Sequence, residues 1–212
     1  MRRLPVYLLI DTSGSMMGEP IEAVRNGVQN LLAALRQDPY ALESAYLSVI
    51  TFSDTAIQAA PLTELSQFQA PQFNASGTTC MGAALELLAE RVDQEVSKTT
   101  ADQKGDWKPV VFMMTDGQPT DDPTQGINAI KKAKIGTFVA CAAGPGAETT
   151  VLQRITESVV RLDTADSNTI KAFFKWVSAS ISTTSQKVDQ GNKDVAGLSD
   201  LPPPPPEVNI VV

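Results

Sequence analysis

Two short apolar runs in this chain each end in an aspartate turn, and this repeated arrangement constrains the fold more than any other feature. Leu4 to Ile10 leads into Asp11-Thr12-Ser13-Gly14-Ser15, and Pro109 to Met114 leads into Thr115-Asp116-Gly117. A continuous apolar run of strand length suits a strand buried on both faces, as in the centre of a parallel sheet. Neither run approaches the roughly 18 apolar residues of a membrane span. Ala45 to Phe52 alternates and is rich in β-formers, and Ala56 to Ala59 reads as a short edge strand. Gly136 to Ala143 reads as another buried strand, and Val159 to Leu162 as a last short one. Helical spacing follows Pro20 (Ile21, Val24, Val28, Leu31, Leu32, Leu35) until Asp38-Pro39 stops it, and returns over Gly82 to Val96. Further helices are expected over Thr124 to Lys134, Glu148 to Ile155 and Ser167 to Ile181. Strands alternating with helices predict an α/β domain with a central, mostly parallel sheet and helices on both faces. That domain is expected over 1–184, followed by a polar, proline-rich C-terminal tail over 185–212.

Composition narrows the chemistry. The 212 residues include no histidine, two cysteines and a formal net charge of −7. Without imidazole there is no Ser-His-Asp triad, no Cys-His pair and no imidazole general base. Two cysteines cannot make a Cys/His zinc tetrad. An acidic chain is a poor match for nucleic acid or an anionic membrane, so neither is expected as a partner. Cys80 and Cys141 give no disulfide framework, which suits a reducing compartment. Met1-Arg2-Arg3 before Leu4 to Ile10 imitates a signal peptide, but Asp11 ends the run with no small-residue cleavage site. A soluble cytoplasmic protein is the expectation.

In open α/β sheets, sites form beyond the carboxyl ends of strands. Asp11 and Asp116 stand at two such ends. Ser13 and Ser15 follow Asp11 at alternate positions, with Gly14 permitting the bend. A third loop, Ala75-Ser76-Gly77-Thr78-Thr79, offers hydroxyls before the second helix. Two carboxylates and three hydroxyls make a hard-oxygen cation site suited to Mg²⁺ or Mn²⁺, with Ca²⁺ also compatible. Neutral hydroxyl ligands leave the cation under-neutralised, so it would favour an outside carboxylate in its open position.

At these residues the chain resembles the von Willebrand factor A domains. Asp11-Thr12-Ser13-Gly14-Ser15 looks like their DxSxS signature, and Asp116-Gly117 like their third metal motif. Gly77-Thr78-Thr79-Cys80-Met81-Gly82-Ala83-Ala84-Leu85 resembles their middle motif, with Thr79 at the metal-threonine position and Thr78 as the alternative. The resemblance covers about residues 4 to 184 and implies a Rossmann-like von Willebrand A fold. It also implies a metal-ion-dependent adhesion site holding Mg²⁺ through Ser13, Ser15 and Thr79, with Asp11 and Asp116 close by or water-linked. The partner would then be a protein offering an Asp or Glu. The whole chain looks similar to the short bacterial TerY-like (YegL-like) group, associated with tellurite resistance and chemical stress. That group is linked to a protein-kinase-like partner and a PP2C-type phosphatase.

Plainer roles compete at several positions. Asp11, Ser13 and Ser15 could be a turn-and-cap cluster, and Thr79 a helix N-cap. Asp121 and Asp122 are expected to cap the helix after Pro123, Asp54 to be a turn residue, and Cys80 a small buried thiol. Met16, Met17 and Met81 read equally as core or as an apolar rim. Pro202 to Pro206 reads as a disordered tail or as a polyproline-II segment for an aromatic groove, and Val208 to Val212 as a strand for a sheet edge. Two other functions stand beside the non-enzymatic binding module. One is a Mg²⁺-dependent phosphohydrolase with Asp11 as nucleophile, weakened by Ser13 where such enzymes want a second Asp. The other is a metal-independent structural protein assembling through its tail.

Overall fold

The computed structural model describes residues 2–191, 194 and 196–211. Its seven strands are β1 (Leu4–Asp11), β2 (Ala45–Phe52), β3 (Ala56–Glu64), β4 (Val110–Thr115), β5 (Thr137–Ala143), β6 (Ser158–Leu162) and β7 (Asn209–Ile210). They form one sheet in the order β3-β2-β1-β4-β5-β6-β7. The five central strands run parallel, and the edge strands β3 and β7 are antiparallel to their neighbours. The α/β class and the mostly parallel sheet are as the sequence predicts.

Among the described residues six helices cover the sheet: α1 (Glu19–Leu35), α2 (Pro39–Ser44), α3 (Met81–Glu95), α4 (Thr124–Lys132), α5 (Thr149–Ile155) and α6 (Ser167–Gly191). One face of the sheet, with Val6, Leu8, Ile10, Phe112 and Met114, packs with α1 and α6 residues such as Val28 and Phe173. The other face, with Tyr7, Leu9, Val111 and Met113, packs with Leu85 and Leu88 of α3 and Ile127 of α4. Successive residues of β1 and β4 serve opposite cores, which is why both runs are apolar without interruption. A Cβ on Gly27 would lie 2.4 Å from Phe174 Cδ2, so α1 and α6 approach closely only because position 27 lacks one.

Three elements depart from expectation. Asp38-Pro39 stops α1 but also starts α2: the Asp38 carboxylate accepts from the Tyr40 and Ala41 backbone N–H groups, and proline suits the first turn. β3 runs to Glu64 rather than Ala59, and its Pro61 is tolerated because the strand is at an edge. α6 runs past Ile181 to Gly191, because Ser185 and Val188 still face the core. Beyond it, Leu201 and Val208 are buried and the Trp176 indole N–H donates to the Pro202 carbonyl at 2.8 Å. Asn209 and Ile210 then pair with β6 and Val211 N–H donates to the Val159 carbonyl, so this segment lies on the edge of the chain's own sheet. Among the described residues no helix is long and apolar enough to cross a membrane.

Candidate metal centre

β1 and β4 are neighbours in register, with Ile10 beside Met114, so the turns that follow them meet. Asp11 is fully buried. Its Oδ1 accepts from the Ser13 backbone N–H at 2.8 Å and its Oδ2 from the Thr115 hydroxyl at 2.6 Å. The chain then makes a 3-10 turn, Gly14–Met16, that sets Ser13 Oγ and Ser15 Oγ 3.0 Å apart. Ser15 Oγ donates to Asp116 Oδ1 at 2.7 Å, linking the first loop to the one after β4.

The third loop is fastened to the first through backbone. Gly14 N–H donates to the Gly77 carbonyl at 3.0 Å, and Ser76 N–H to the Thr12 carbonyl at 2.9 Å. Gly77 sits at φ +76°, where a Cβ would also strike the Asp54 carboxylate at 2.4 Å. Asp54 Oδ1 takes both the backbone N–H and the hydroxyl of Thr78 at 2.8 Å, and these bonds hold its pKa below the ordinary carboxylate value. Thr78 is thereby turned away from the other hydroxyls, while Thr79 is buried and turned toward them. A methyl group built on Gly117 would sit 3.6 Å from Thr79 Oγ1 and 3.8 Å from Ser15 Oγ, so that glycine keeps the space before them open. The structure thus gathers Asp11, Ser13, Ser15, Thr79 and Asp116, and separates Thr78 from them.

Thr79 is no helix cap. The N-cap position of α3 is Cys80, with no side-chain capping bond, and Asp121 does the capping from another loop. Its carboxylate accepts from the Gly82 and Ala83 N–H groups at 3.0 and 2.9 Å. Asp121 therefore caps α3 rather than the helix after Pro123; Asp122 alone serves that helix, accepting from Thr124 N–H at 3.0 Å. Cys80 is partly exposed rather than buried, because it lies on the loop surface with its thiol donating to the Asp54 carbonyl at 3.2 Å. Met16 and Met81 are core residues, and Met17 is 64% exposed. Thr115 and Thr120, whose hydroxyl accepts from the Thr79 N–H at 3.0 Å, brace the site and escaped the sequence reading, and Asp54, expected only as a turn residue, braces it too. Asp54 follows a strand end just as Asp11 does, which was the available signal.

Burial pushes the pKa of Asp11 up, partly offset by the bonds from Ser13 and Thr115, and the nearby Asp116 pushes it further up. Burial also raises Asp116, partly offset by the bond from Ser15. Neither carboxylate forms an ion pair with a Lys or Arg among the described residues. A buried acid and a half-buried one without a counter-charge fit a cation beside them, since an unpaired buried charge is costly. Among the described residues no group of three or more Cys, Asp or Glu side chains could hold a metal ion. A cation here would therefore draw on hydroxyls as well, which is the hard-oxygen set that the three loops present.

No curated protein matches the sequence. Among solved structures, the chain is similar to proximal thread matrix protein 1 from the mussel byssus, with a TM-score of 0.64 and 19% identity over 84% of this chain and 48% of that one. It is similar to a von Willebrand factor type A protein from Catenulispora acidiphila, at 0.64 and 17% over 99% of this chain and 54% of that one. The mussel protein has also been solved with a zinc-occupied MIDAS motif (TM-score 0.59, 20% identity, 84% of this chain and 45% of that one). This chain thus spans about half the length of these structures, and at such identities they show the fold. The family model for the von Willebrand factor type A domain matches residues 6–176, and the chain belongs to that family.

Proposed function

We propose that the chain is a non-enzymatic, metal-dependent protein-binding module. The observation that carries this reading is the buried Asp11 and half-buried Asp116, both without counter-charge, with Asp116 joined through Ser15 to Ser13 and the Thr79 hydroxyl facing the same space. Ser13, Ser15 and Thr79 would hold Mg²⁺, with Asp11 and Asp116 close by or water-linked, and its Lewis acidity would draw a partner's Asp or Glu carboxylate into the open position. The zinc in the MIDAS motif of the mussel protein supports a divalent cation at this place in the fold. The chain's own contribution is positional. Asp11 is clamped by Ser13 and Thr115, the third loop is tied down by Asp54 and Gly14, and Gly117 leaves room for a ligand. A phosphohydrolase role for Asp11 gains nothing from this geometry, because a nucleophile needs access and both Asp11 oxygens are buried and engaged.

The motif resemblance to the TerY-like group supports a narrower setting: a cytoplasmic scaffold in a bacterial tellurite or chemical-stress complex. Its partners there would be a protein-kinase-like protein and a PP2C-type phosphatase. Partner capture by the full chain in Mg²⁺ and in EDTA tests the metal-dependent reading. Binding is expected in Mg²⁺ only, and to disappear with Asp11→Ala plus Ser13→Ala. Equal capture in EDTA would sink it.

A further inference from the structure

The charged residues are sorted along the strand axis. The loops at the carboxyl ends of the strands (residues 11–19, 53–55, 74–80, 116–123, 144–148 and 163–166) contain no Lys or Arg, yet carry Asp54, Asp122, Glu148 and Asp163 around the candidate metal centre. The opposite pole holds a cleft of about 610 Å³ lined by Arg2, Arg3, Lys98 and Lys104. Its one lining carboxylate, Asp106, is paired with Arg3 at 2.6 Å. Arg2 is fixed in place, with its Nε donating to the Gly105 carbonyl at 2.7 Å and its guanidinium 3.5 Å above the Trp107 ring. Lys104 has no ion-pair partner among the described residues.

At the rim of this basic cleft the chain makes a tight turn. Thr100 N–H donates to the Gln103 carbonyl at 2.9 Å and Gln103 N–H to Thr100 Oγ1 at 3.2 Å. Asp102 sits at the tip of that turn, exposed, with no hydrogen bond or ion pair to any described residue. An acidic rim repels a partner rich in free carboxylates, so it selects an exposed, unpaired carboxylate set beside free cations. Lys98 is paired with Asp93 at 2.6 Å, so Asp102 has that chemistry beside the unpaired Lys104, at the rim of the cleft lined by Arg2 and Arg3.

We propose that the metal centre of one copy takes Asp102 of a second copy, so that the chain associates head to tail. The proposal rests on the metal-dependent reading above. Asp102 cannot reach its own site, because the length of β1 separates the poles by roughly 25 Å at ~3.3 Å per residue. The contact joins two different surfaces, so it propagates into an open chain rather than closing as a symmetric dimer.

Sedimentation velocity of the full chain at low ionic strength tests this, with Mn²⁺ binding followed separately by electron paramagnetic resonance. In Mg²⁺ the mass should rise with concentration, and EDTA should return it to the 22.6 kDa of one chain. Asp102→Asn should weaken association at least tenfold while binding Mn²⁺ as the wild type does. Ser13→Ala plus Ser15→Ala should lose both. A mixture of these two variants, neither associating alone, should stop at two chains, since only one intact site and one Asp102 can meet. A wild type that binds Mn²⁺ yet stays at one chain overturns the head-to-tail contact alone, as does association that survives Asp102→Asn. A wild type that binds no Mn²⁺ overturns both this contact and the reading beneath it.

Discussion

Adjacent threonines give the sharpest test at the residue scale. Thr78 and Thr79 differ by one position, yet Thr78 is bonded to Asp54 while Thr79 Oγ1 and Ser15 Oγ face the same space in front of Gly117. Thr79→Ala should lower Mg²⁺ affinity at least tenfold, a loss of about 1.4 kcal/mol or more on the usual conversion. Thr78→Ala keeps its backbone N–H on Asp54 and should leave affinity within about threefold, a difference calorimetric Mg²⁺ titration resolves. The opposite ranking would make Thr78 the ligand. Asp11→Asn separates two roles of the same residue. It removes a buried charge whose pKa burial raises, so the metal-free protein should melt at a higher temperature at neutral pH, while losing its response to Mg²⁺. The sequence made Asp11, Ser13, Ser15 and Asp116 legible because they adjoin strand ends along the chain. It hid Thr115 as a partner of Asp11, since that bond spans residues 104 apart and exists only once β1 and β4 pair.

Helices and strands were legible where one local pattern decides them, and obscure where a distant contact does. β1, β4 and β5 are uninterrupted apolar runs, and α1 and α3 carry apolar residues at helical spacing. The N-terminus of α3 shows the other case. Cys80 is a poor cap, and Asp121 supplies the missing acceptor from the loop after β4. Asp121→Ala should therefore destabilise the fold by about 1 kcal/mol, the usual worth of a cap, as read by urea unfolding. No change would mean that water satisfies those N–H groups equally well. The C-terminal segment is a second case: composition alone made it a tail, whereas Leu201 and Val208 are buried beside α6 and β6. Leu201→Ala should cost about 2 kcal/mol, at the low end for a buried leucine because the site adjoins the surface. A solvent-exposed tail would show no such loss.

For the whole molecule, the metal and the fold should be thermodynamically linked. The five oxygen-bearing side chains come from loops around residues 11–15, 79 and 116, which the unfolded chain holds far apart. Mg²⁺ would therefore bind the native state almost exclusively, adding about 2.7 kcal/mol of stability at a concentration one hundred times its dissociation constant. That increment should depend on pH with a definite sign. Burial raises the pKa of both Asp11 and Asp116 in the metal-free fold above their unfolded values. The stability they contribute as protonated acids is thus present below the unfolded carboxylate pKa and is lost as pH rises through the raised folded values. Mg²⁺ needs the ionised forms, so protons compete with it over the same range. Thermal melts with Mg²⁺ and with EDTA should lie well apart at pH 7 and converge as the pH is lowered toward the carboxylate range. Ser13→Ala plus Ser15→Ala should make the two melts coincide at every pH. Melts that stay equally far apart down to acid pH would show that the stabilising cation sits on groups other than these two aspartates.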